Sequence, residues 1–255
     1  MMRSIETSLL VFLSFSIVLW GCATGMTSTK KKAEVKERLG NSLVQEGKFQ
    51  EGLKELLQAA ELDPESAAIQ NALGLAYQGL REFDKAISHY EKALELKRDF
   101  PEAQNNLGTV YASLGKWDTA ILFFEKAADN VMYRTRYFAY HNLGSAYHRK
   151  GAYRKAIESY KRALEYFPGY GPAYDNMGLS HEALQEWELA IAAYKRSIEI
   201  SADSPIPHLR LGGLYLKLNR QEDAAQELLA TIRIDPTGPY GIEARKLLRQ
   251  IRKTE

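Results

Sequence analysis

The sequence predicts an all-α fold, a right-handed superhelical solenoid of six helix pairs followed by a capping helix. Two observations lead to this prediction: a glycine that recurs at a nearly constant interval, and small and bulky residues that recur with it. A repeat of this length is typical of helical solenoids, in which each unit buries its apolar face against its neighbours. The glycines are Gly40, Gly74, Gly108, Gly144, Gly178 and Gly212, so the successive steps are 34, 34, 36, 34 and 34 residues.

The first helix of each repeat is predicted from the residues around this glycine. A large apolar residue precedes the glycine and a ring or a leucine follows it, so the three positions form one stripe of a helix. His181 stands where the other repeats have tyrosine or leucine, and we expect a packed, hydrogen-bonded ring there. The preceding residues are Leu39, Leu73, Leu107, Leu143, Met177 and Leu211, and the following ones are Leu43, Tyr77, Tyr111, Tyr147, His181 and Tyr215.

The second helix is predicted from small and bulky residues that recur further along each repeat. Small residues let two antiparallel helices approach closely, and bulky residues then interlock across the contact. The small residues are Gly52, Ala86, Ala120, Ala156, Ala190 and Ala224, and the bulky ones are Leu56, Tyr90, Phe124, Tyr160, Tyr194 and Leu228.

A turn must join the two helices of each repeat. Glycine and asparagine tolerate the left-handed conformation that ends a helix. Arg81 and Gln185 occupy the turn position in the second and fifth repeats, so the sequence predicts that these two turns are built differently. The other four repeats have Gly47, Gly115, Gly151 and Asn219 at this position.

These positions together resemble the tetratricopeptide repeat. Two extra residues lie near Thr135 and Arg136, at the junction of the third and fourth repeats. Residues 239–255 are predicted to form a capping helix, with apolar residues such as Ile242 and Leu248 and a basic outer face, because a terminal repeat needs a solvated cover. The six repeats implied by the resemblance are residues 33–66, 67–100, 101–134, 137–170, 171–204 and 205–238.

Residues 1–21 are predicted to be a lipoprotein signal peptide. Leu9–Trp20 is an apolar run shorter than the about 20 residues of a membrane span, and it has the length of a secretory signal core. It ends in Leu19-Trp20-Gly21-Cys22, which resembles a bacterial lipobox except for the large Trp20, and Cys22 is the only cysteine of the chain. The alternative interpretation is an uncleaved signal anchor in which Cys22 has no role.

The lipobox resemblance implies a lipid on Cys22 and a tether at residues 22–32. Two or more acyl chains anchor a protein stably in a membrane. Ala23 stands where an Asp often retains such lipoproteins in the inner membrane, which implies a lipid-anchored protein on the periplasmic face of the bacterial outer membrane. The lysines at positions 30–32 are interpreted either as the solvated start of the first helix or as a contact to anionic head groups.

Composition and motifs argue against an enzyme, a metalloprotein or a nucleic-acid-binding protein. The 34 basic and 32 acidic residues nearly balance, so the basic domain or stripe of a nucleic-acid binder is absent. The sequence has neither a Gly-x-Ser-x-Gly nor a His-Glu-x-x-His motif. His141 and His148 would lie two helical turns apart, about 10 Å, too far to share a metal ion. We therefore expect no catalytic residue, no small-molecule substrate, and no cofactor besides the lipid on Cys22.

The candidate site is the concave groove that the first helices of the repeats are expected to line. Its residues are polar in the middle repeats and apolar towards the C-terminal end, which suits the backbone and the side chains of an extended peptide. Asn106, Asn142 and Asn176, beside these positions, are interpreted as structural. The candidate residues are Asn71, Gln78, Glu102, Asn105, Thr109, His141, Ser145, His148, Arg149, Asp175, Leu179, Ile206, Leu209 and Leu216.

A lipobox followed by six such repeats and a cap resembles the type IV pilus biogenesis lipoproteins that act as pilotins for the outer-membrane secretin. The segment Asp129–Thr135 strengthens the resemblance, since that family has a similar two-residue insertion at this junction. The resemblance implies that the partners are secretin subunits, whose localisation and multimerisation the protein assists. The alternative is a general envelope scaffold that recruits peptidoglycan hydrolases or proteases and uses the same anchor and groove.

Overall fold

The computed structural model describes residues 28–251, so the predicted signal peptide and Cys22 lie outside the described residues. These residues form thirteen α-helices and no strand. None of the described helices has the length and apolar character needed to cross a membrane. The helices are α1 (28–45), α2 (Phe49–Leu62), α3 (Ala67–Gly79), α4 (Phe83–Leu96), α5 (Pro101–Ser113), α6 (Trp117–Asp129), α7 (Arg136–Arg149), α8 (Tyr153–Tyr166), α9 (Gly171–Ala183), α10 (Trp187–Ile200), α11 (Pro205–Lys217), α12 (Gln221–Ile234) and α13 (Pro239–Ile251).

The helices follow one another as six pairs and a final helix, as the sequence predicts. Helix α1 begins earlier than predicted, because residues 28–32, which the sequence assigns to the tether, are already helical. The two extra residues lie in the connection between α6 and α7, which covers 130–135, whereas the corresponding connection between α8 and α9 covers only 167–170.

The chain divides into two units, Met1–Val110 and Tyr111–Glu255, and the division falls within α5. In the first unit, one apolar cluster joins α1, α2 and α3 through residues such as Leu56, Ile69 and Leu73. In the second unit, one apolar cluster joins α6 to α9 around Phe124 and Tyr160. Another cluster joins α10 to α12 around Tyr194, Leu211 and Ala224.

The recurring glycine is explained by the bulky residue of the second helix. A β-carbon on Gly74 would lie 2.5 Å from Cε1 of Tyr90, and one on Gly178 would lie 2.5 Å from Cε1 of Tyr194. Both tyrosine side chains are fully buried. Each ring therefore packs directly on the backbone of the first helix, and only glycine leaves room for it.

The six turns within the pairs share one conformation, which corrects the prediction for the second and fifth repeats. Arg81 and Gln185 have φ angles of 62° and 59°, close to the 58° of Asn219 and the 77° of Gly47. The closing hydrogen bonds also agree: the Lys48 N–H donates to the Leu43 carbonyl, and the Glu186 N–H donates to the His181 carbonyl, both at 2.9 Å. The prediction was wrong because these bonds and the packed helices outweigh the roughly 1–2 kcal/mol that a side chain costs in the left-handed region.

The two ends of the described chain differ in how their apolar residues are covered. Val35 and Leu39 of α1 are about half exposed, because no described helix pair precedes α1 to cover them. At the other end, α13 packs on α11 and α12 through Gly241 and Ala244, whereas Ile242 remains exposed. Thus α13 covers the last pair with its small residues and with Ile251, which packs against the apolar cluster of α10 to α12, and not with Ile242.

Candidate functional site

Four of the predicted groove residues of the second unit meet at one cavity of about 270 Å³ between α7, α9 and α11. Ser145, His148 and Arg149 come from α7 and Leu179 from α9. The remaining lining residues, Tyr160, Asn176 and Arg210, were not among the candidates. The repeat pattern predicts that Tyr160 lies in the core and that Asn176 has a structural role, and it does not single out Arg210.

Hydrogen bonds connect the three first helices at the base of this cavity. Arg210 donates to Oδ2 of Asp175 and, at 3.3 Å, to Oδ1 of Asn176. Nδ2 of Asn176 lies 2.9 Å from Nε2 of His141. Because the amide oxygen already accepts from Arg210, the amide nitrogen is the donor to His141. His141 is therefore neutral and carries its proton on Nδ1, consistent with burial that lowers its pKa to about 4.

The same connection is present in the first unit, where Nδ2 of Asn106 donates to Oδ1 of Asn71 at 3.1 Å. In each case the donor lies two positions before the glycine of its own repeat. The acceptor lies three positions before the glycine of the preceding repeat. Asn106 and Asn176 thus join consecutive pairs. Arg210 occupies the asparagine position in the last pair, and this departure from the repeat is the sequence signal that could have identified it.

A second connection links α7 and α9 at the rim of the cavity. Nδ1 of His148 lies 2.9 Å from Oγ of Ser180, and that hydroxyl donates to the Asn176 carbonyl at 3.0 Å. The hydroxyl proton is therefore committed, so Nδ1 of His148 is the donor and Nε2 is left as an acceptor. Burial is the main cause that lowers the pKa of His148, with Arg149 and Arg210 adding to it.

The charges around the cavity are only partly compensated. Asp175 is 8% exposed and pairs with Arg210. Burial raises the pKa of its carboxyl, against the opposing effect of Arg210. Its Oδ1 is buried without a hydrogen-bond partner among the described residues. Arg149 is exposed and forms no ion pair within residues 28–251. The site therefore presents one guanidinium that no carboxylate neutralises.

The predicted groove residues of the first unit are more involved in internal contacts than expected. Gln78 accepts a hydrogen bond from the Tyr90 hydroxyl at 2.7 Å. Thr109 donates to the Asn105 carbonyl at 3.0 Å, and Asn105 is itself 9% exposed. Glu102 is the exposed member of this set. These residues therefore offer a peptide less free polar surface than the sequence suggests.

The apolar end of the predicted groove is half-buried. Leu179 and Leu216 pack against the cluster around Tyr194 and Leu211 while keeping part of their surface accessible. Ile206 and Leu209 on α11 are also partly accessible. These positions combine a role in the core with an apolar surface that could contact a bound segment.

The remaining histidine that sequence analysis singled out is a packing residue. His181 is 7% exposed, and its Nδ1 lies 2.7 Å from Oε2 of Glu186. Glu186 also pairs with Arg154 at 2.6 Å. Within residues 28–251, no group of three or more histidine, cysteine, aspartate or glutamate side chains is arranged to hold a metal ion.

Solved structures with the same fold include proteins of pilus biogenesis. PilF of Pseudomonas aeruginosa aligns with 89% of this chain and 100% of its own at a TM-score of 0.75 and 19% identity. PilW, a widely conserved type IV pilus biogenesis factor, aligns with 86% of this chain and 97% of its own at a TM-score of 0.76 and 20% identity. YrrB, a tetratricopeptide-repeat protein with an unusual peptide-binding site, aligns with 75% of this chain and 97% of its own at a TM-score of 0.56 and 22% identity. At these identities the similarity shows the fold.

Family models describe the chain as repeats of a known kind. Models of the tetratricopeptide repeat match residues 65–132, 99–169, 141–205 and 176–239, and a further model of this repeat matches residues 40–80. A comparison with curated protein sequences finds no significant match. The repeat matches run without a gap from residue 40 to residue 239, and the chain belongs to the tetratricopeptide-repeat family.

Proposed function

We propose that this chain is a lipid-anchored scaffold of the bacterial outer membrane that binds secretin subunits and assists their multimerisation in type IV pilus biogenesis. The observation that carries the proposal is the alignment with PilF and PilW over 86–89% of this chain and nearly all of theirs. PilW is a type IV pilus biogenesis factor.

Two further features support the proposal. The longer connection at residues 130–135 resembles the insertion of the pilus lipoproteins, and it exposes Val131 and Met132 almost fully. The cavity between α7, α9 and α11 provides a polar surface with an apolar wall, suited to hold a segment of another protein. The function requires an anchor and a binding surface, and no catalytic residue, metal or cofactor.

The state of the secretin in the source bacterium tests the proposed function. The secretin multimer is compared by denaturing gel electrophoresis without boiling, in cells with and without the gene for this chain. We expect the high-mass multimer to be lost on deletion and restored by the intact gene. An unchanged multimer would reject the secretin role and favour a scaffold for other envelope proteins.

The anchor is tested separately through Cys22. The Cys22→Ser variant removes the thiol that would carry the lipid, so we expect it to leave the outer-membrane fraction and to reduce secretin multimerisation. Fractionation with an antibody against the chain gives the first readout. Unchanged outer-membrane placement of the variant would contradict the lipid anchor while leaving the scaffold function open to its own test.

A further inference from the structure

Two apolar side chains of α1 are left uncovered at the start of the first unit. Val35 is 51% exposed and Leu39 is 49% exposed. Both line a recess of about 600 Å³, to which α2 contributes Leu62. Apolar side chains that are grouped in this way mark a surface that contacts another molecule or a membrane.

Lysines border these apolar residues. Lys31, Lys32 and Lys36 line the same recess. The lysines and the two apolar residues are related by steps of three and four positions, so they lie on one side of the helix. A lysine in this setting packs its hydrocarbon stem on apolar surface and extends its ammonium group outward. We call this surface, apolar at its centre and basic at its edge, the α1 outer face; it consists of Lys31, Lys32, Val35, Lys36 and Leu39.

The α1 outer face keeps most of its positive charge. Lys36 pairs with Glu55 at 2.9 Å. Lys31 and Lys32 are exposed, and neither forms an ion pair within residues 28–251. Both lie in the first turn of α1, where a positive charge opposes the helix macrodipole. Helix stability therefore does not account for these two lysines, and an anionic surface outside the chain would.

The other charged residues of this part of α1 do not reverse the sign. Glu34 and Glu37 lie about 100° or more around the helix from Val35, so they are not on the α1 outer face. Lys30 and Arg38 add to the basic side chains. Residues 28–39 thus carry five basic and two acidic side chains, a net charge of +3.

The length of chain before α1 limits how far this surface lies from the proposed anchor. Cys22 precedes Ser28 by six residues, and six residues span at most about 20 Å. The basic and apolar residues belong to the end of α1 that begins at Ser28, whereas the same stripe continues beyond Leu39 with Ser42 and Glu46. A lipid on Cys22 would therefore hold the α1 outer face close to the head groups.

We propose that the α1 outer face docks on the anionic surface of the membrane that holds the anchor. Val35 and Leu39 enter the interface, and Lys31 and Lys32 contact the head-group phosphates. Helices with an apolar face and flanking lysines lie in the interface in this way, and lysines near an anionic surface strengthen the attraction. The inference rests on the lipid anchor of the proposed function and adds a second contact, which orients the first unit on the membrane.

Fluorescence quenching in reconstituted vesicles tests this inference on the full chain with its own anchor. Val35→Cys carries an environment-sensitive nitrobenzoxadiazole label. Leu229→Cys on α12 is the matched control, because Leu229 is 52% exposed. The vesicles contain spin-labelled lipid as the quencher and consist of phosphatidylcholine alone or of an equal mixture with phosphatidylglycerol. The unsubstituted chain, whose only cysteine is Cys22, gives the blank.

We expect lipid quenching of the label at Val35→Cys in the anionic vesicles and much weaker quenching in the neutral ones. The label at Leu229→Cys should stay unquenched in both. Lys31→Gln combined with Lys32→Gln should lower the ratio of docked to undocked chain by roughly fivefold for each lysine. Added salt should lower the same ratio in the chain that keeps both lysines, since it screens the attraction.

The matched control for charge combines Lys161→Gln with Lys195→Gln. These changes remove two exposed lysines from α8 and α10 of the second unit and should leave the quenching unchanged. Equal quenching at Val35→Cys in neutral and anionic vesicles, or no quenching in either, would overturn docking on an anionic surface. A label that is shielded from water but not quenched by lipid would overturn it as well, and would place a protein such as a second copy on the α1 outer face.

The outcomes separate this inference from the proposed function. Labelling of the unsubstituted chain would contradict a lipid on Cys22, and because that signal is subtracted, the quenching at Val35→Cys still decides the docking. Conversely, a secretin multimer that persists without this chain would reject the pilus role and leave the membrane contact of α1 intact.

Discussion

Gly144 lies directly against the ring of Tyr160, so a β-carbon on Gly144 would come within 2.6 Å of the ring atom Cε1. Tyr160 is 1% exposed, and its hydroxyl reaches Ser145 at the cavity. The glycine that sets the repeat thus also places a ring at the candidate site. Tyr160 joins the packing of the α7–α8 pair to the lining of the cavity.

The Gly144→Ala variant should therefore be less stable than the wild type. Displacement of the buried ring costs about 1–3 kcal/mol as overpacking, which exceeds the helix-propensity gain of about 1 kcal/mol for Ala over Gly. Unfolding by urea, followed by circular dichroism, measures the change. Gly213→Ala is the matched control, because a β-carbon there meets nothing within 4 Å, and it should stabilise. A stable Gly144→Ala variant would show that Tyr160 can move without cost.

The turn conformation gives a prediction in the opposite direction. Gln185 has a φ of 59°, so Gln185→Gly removes the penalty of about 1–2 kcal/mol for the left-handed conformation. Glycine also raises the conformational entropy of the unfolded chain, which costs up to about 1 kcal/mol of stability. We expect a net gain of roughly 0.5–1 kcal/mol in the free energy of unfolding. Gly115→Ala should lose a similar amount, since its β-carbon would touch nothing and only its φ of 72° is unfavourable. Equal stability of all three chains would contradict this account.

The repeat made the helices of this chain predictable, because each small and bulky position is constrained by the neighbouring helix in the same way. The turns at Arg81 and Gln185 differ from the prediction because the packing of the helices on both sides of the turn outweighs the local preference of these two residues. The site was only partly predictable. Ser145 and His148 follow from the repeat register, whereas Arg210 acts through bonds to Asp175 and Asn176 on another repeat, and the spacing of these bonds becomes apparent only once the structure shows the same connection in other repeats.

The last helix depends on one carboxylate. Asp235 accepts hydrogen bonds from the backbone N–H groups of Gly238 at 3.0 Å and Tyr240 at 2.9 Å, at the start of α13. Asp235→Ala leaves these donors without their acceptor and should cost about 1 kcal/mol. In this variant, hydrogen exchange should become faster in α13 and stay unchanged in α7. The Asp235→Asn variant keeps an acceptor oxygen, so its exchange rate in α13 should lie between those of the wild type and Asp235→Ala. Unchanged exchange in α13 would show that the packing of residues such as Ala244 and Ile251 holds the helix without this carboxylate.

His141 should make the protein less stable as the pH falls. Burial lowers its pKa in the folded chain to about 4, from an ordinary value of 6.5. Between these values the unfolded chain binds a proton that the folded chain does not, so the free energy of unfolding decreases as the pH falls from 6.5 to about 4. Each unit of pKa difference corresponds to about 1.4 kcal/mol, so the whole window corresponds to about 3 kcal/mol.

The His141→Gln variant isolates this contribution. Its amide oxygen can still accept from Asn176, as Nε2 of His141 does, but it does not titrate. Urea unfolding at several pH values between 7.5 and 4 should give a stability difference between wild type and variant that shifts in favour of the variant as the pH falls. His89 and His148, whose pKa values burial also lowers, remain in both chains and cancel in this comparison. A difference that stays constant with pH would mean that His141 accepts a proton in the folded chain, and that the bond from Asn176 does not hold it neutral.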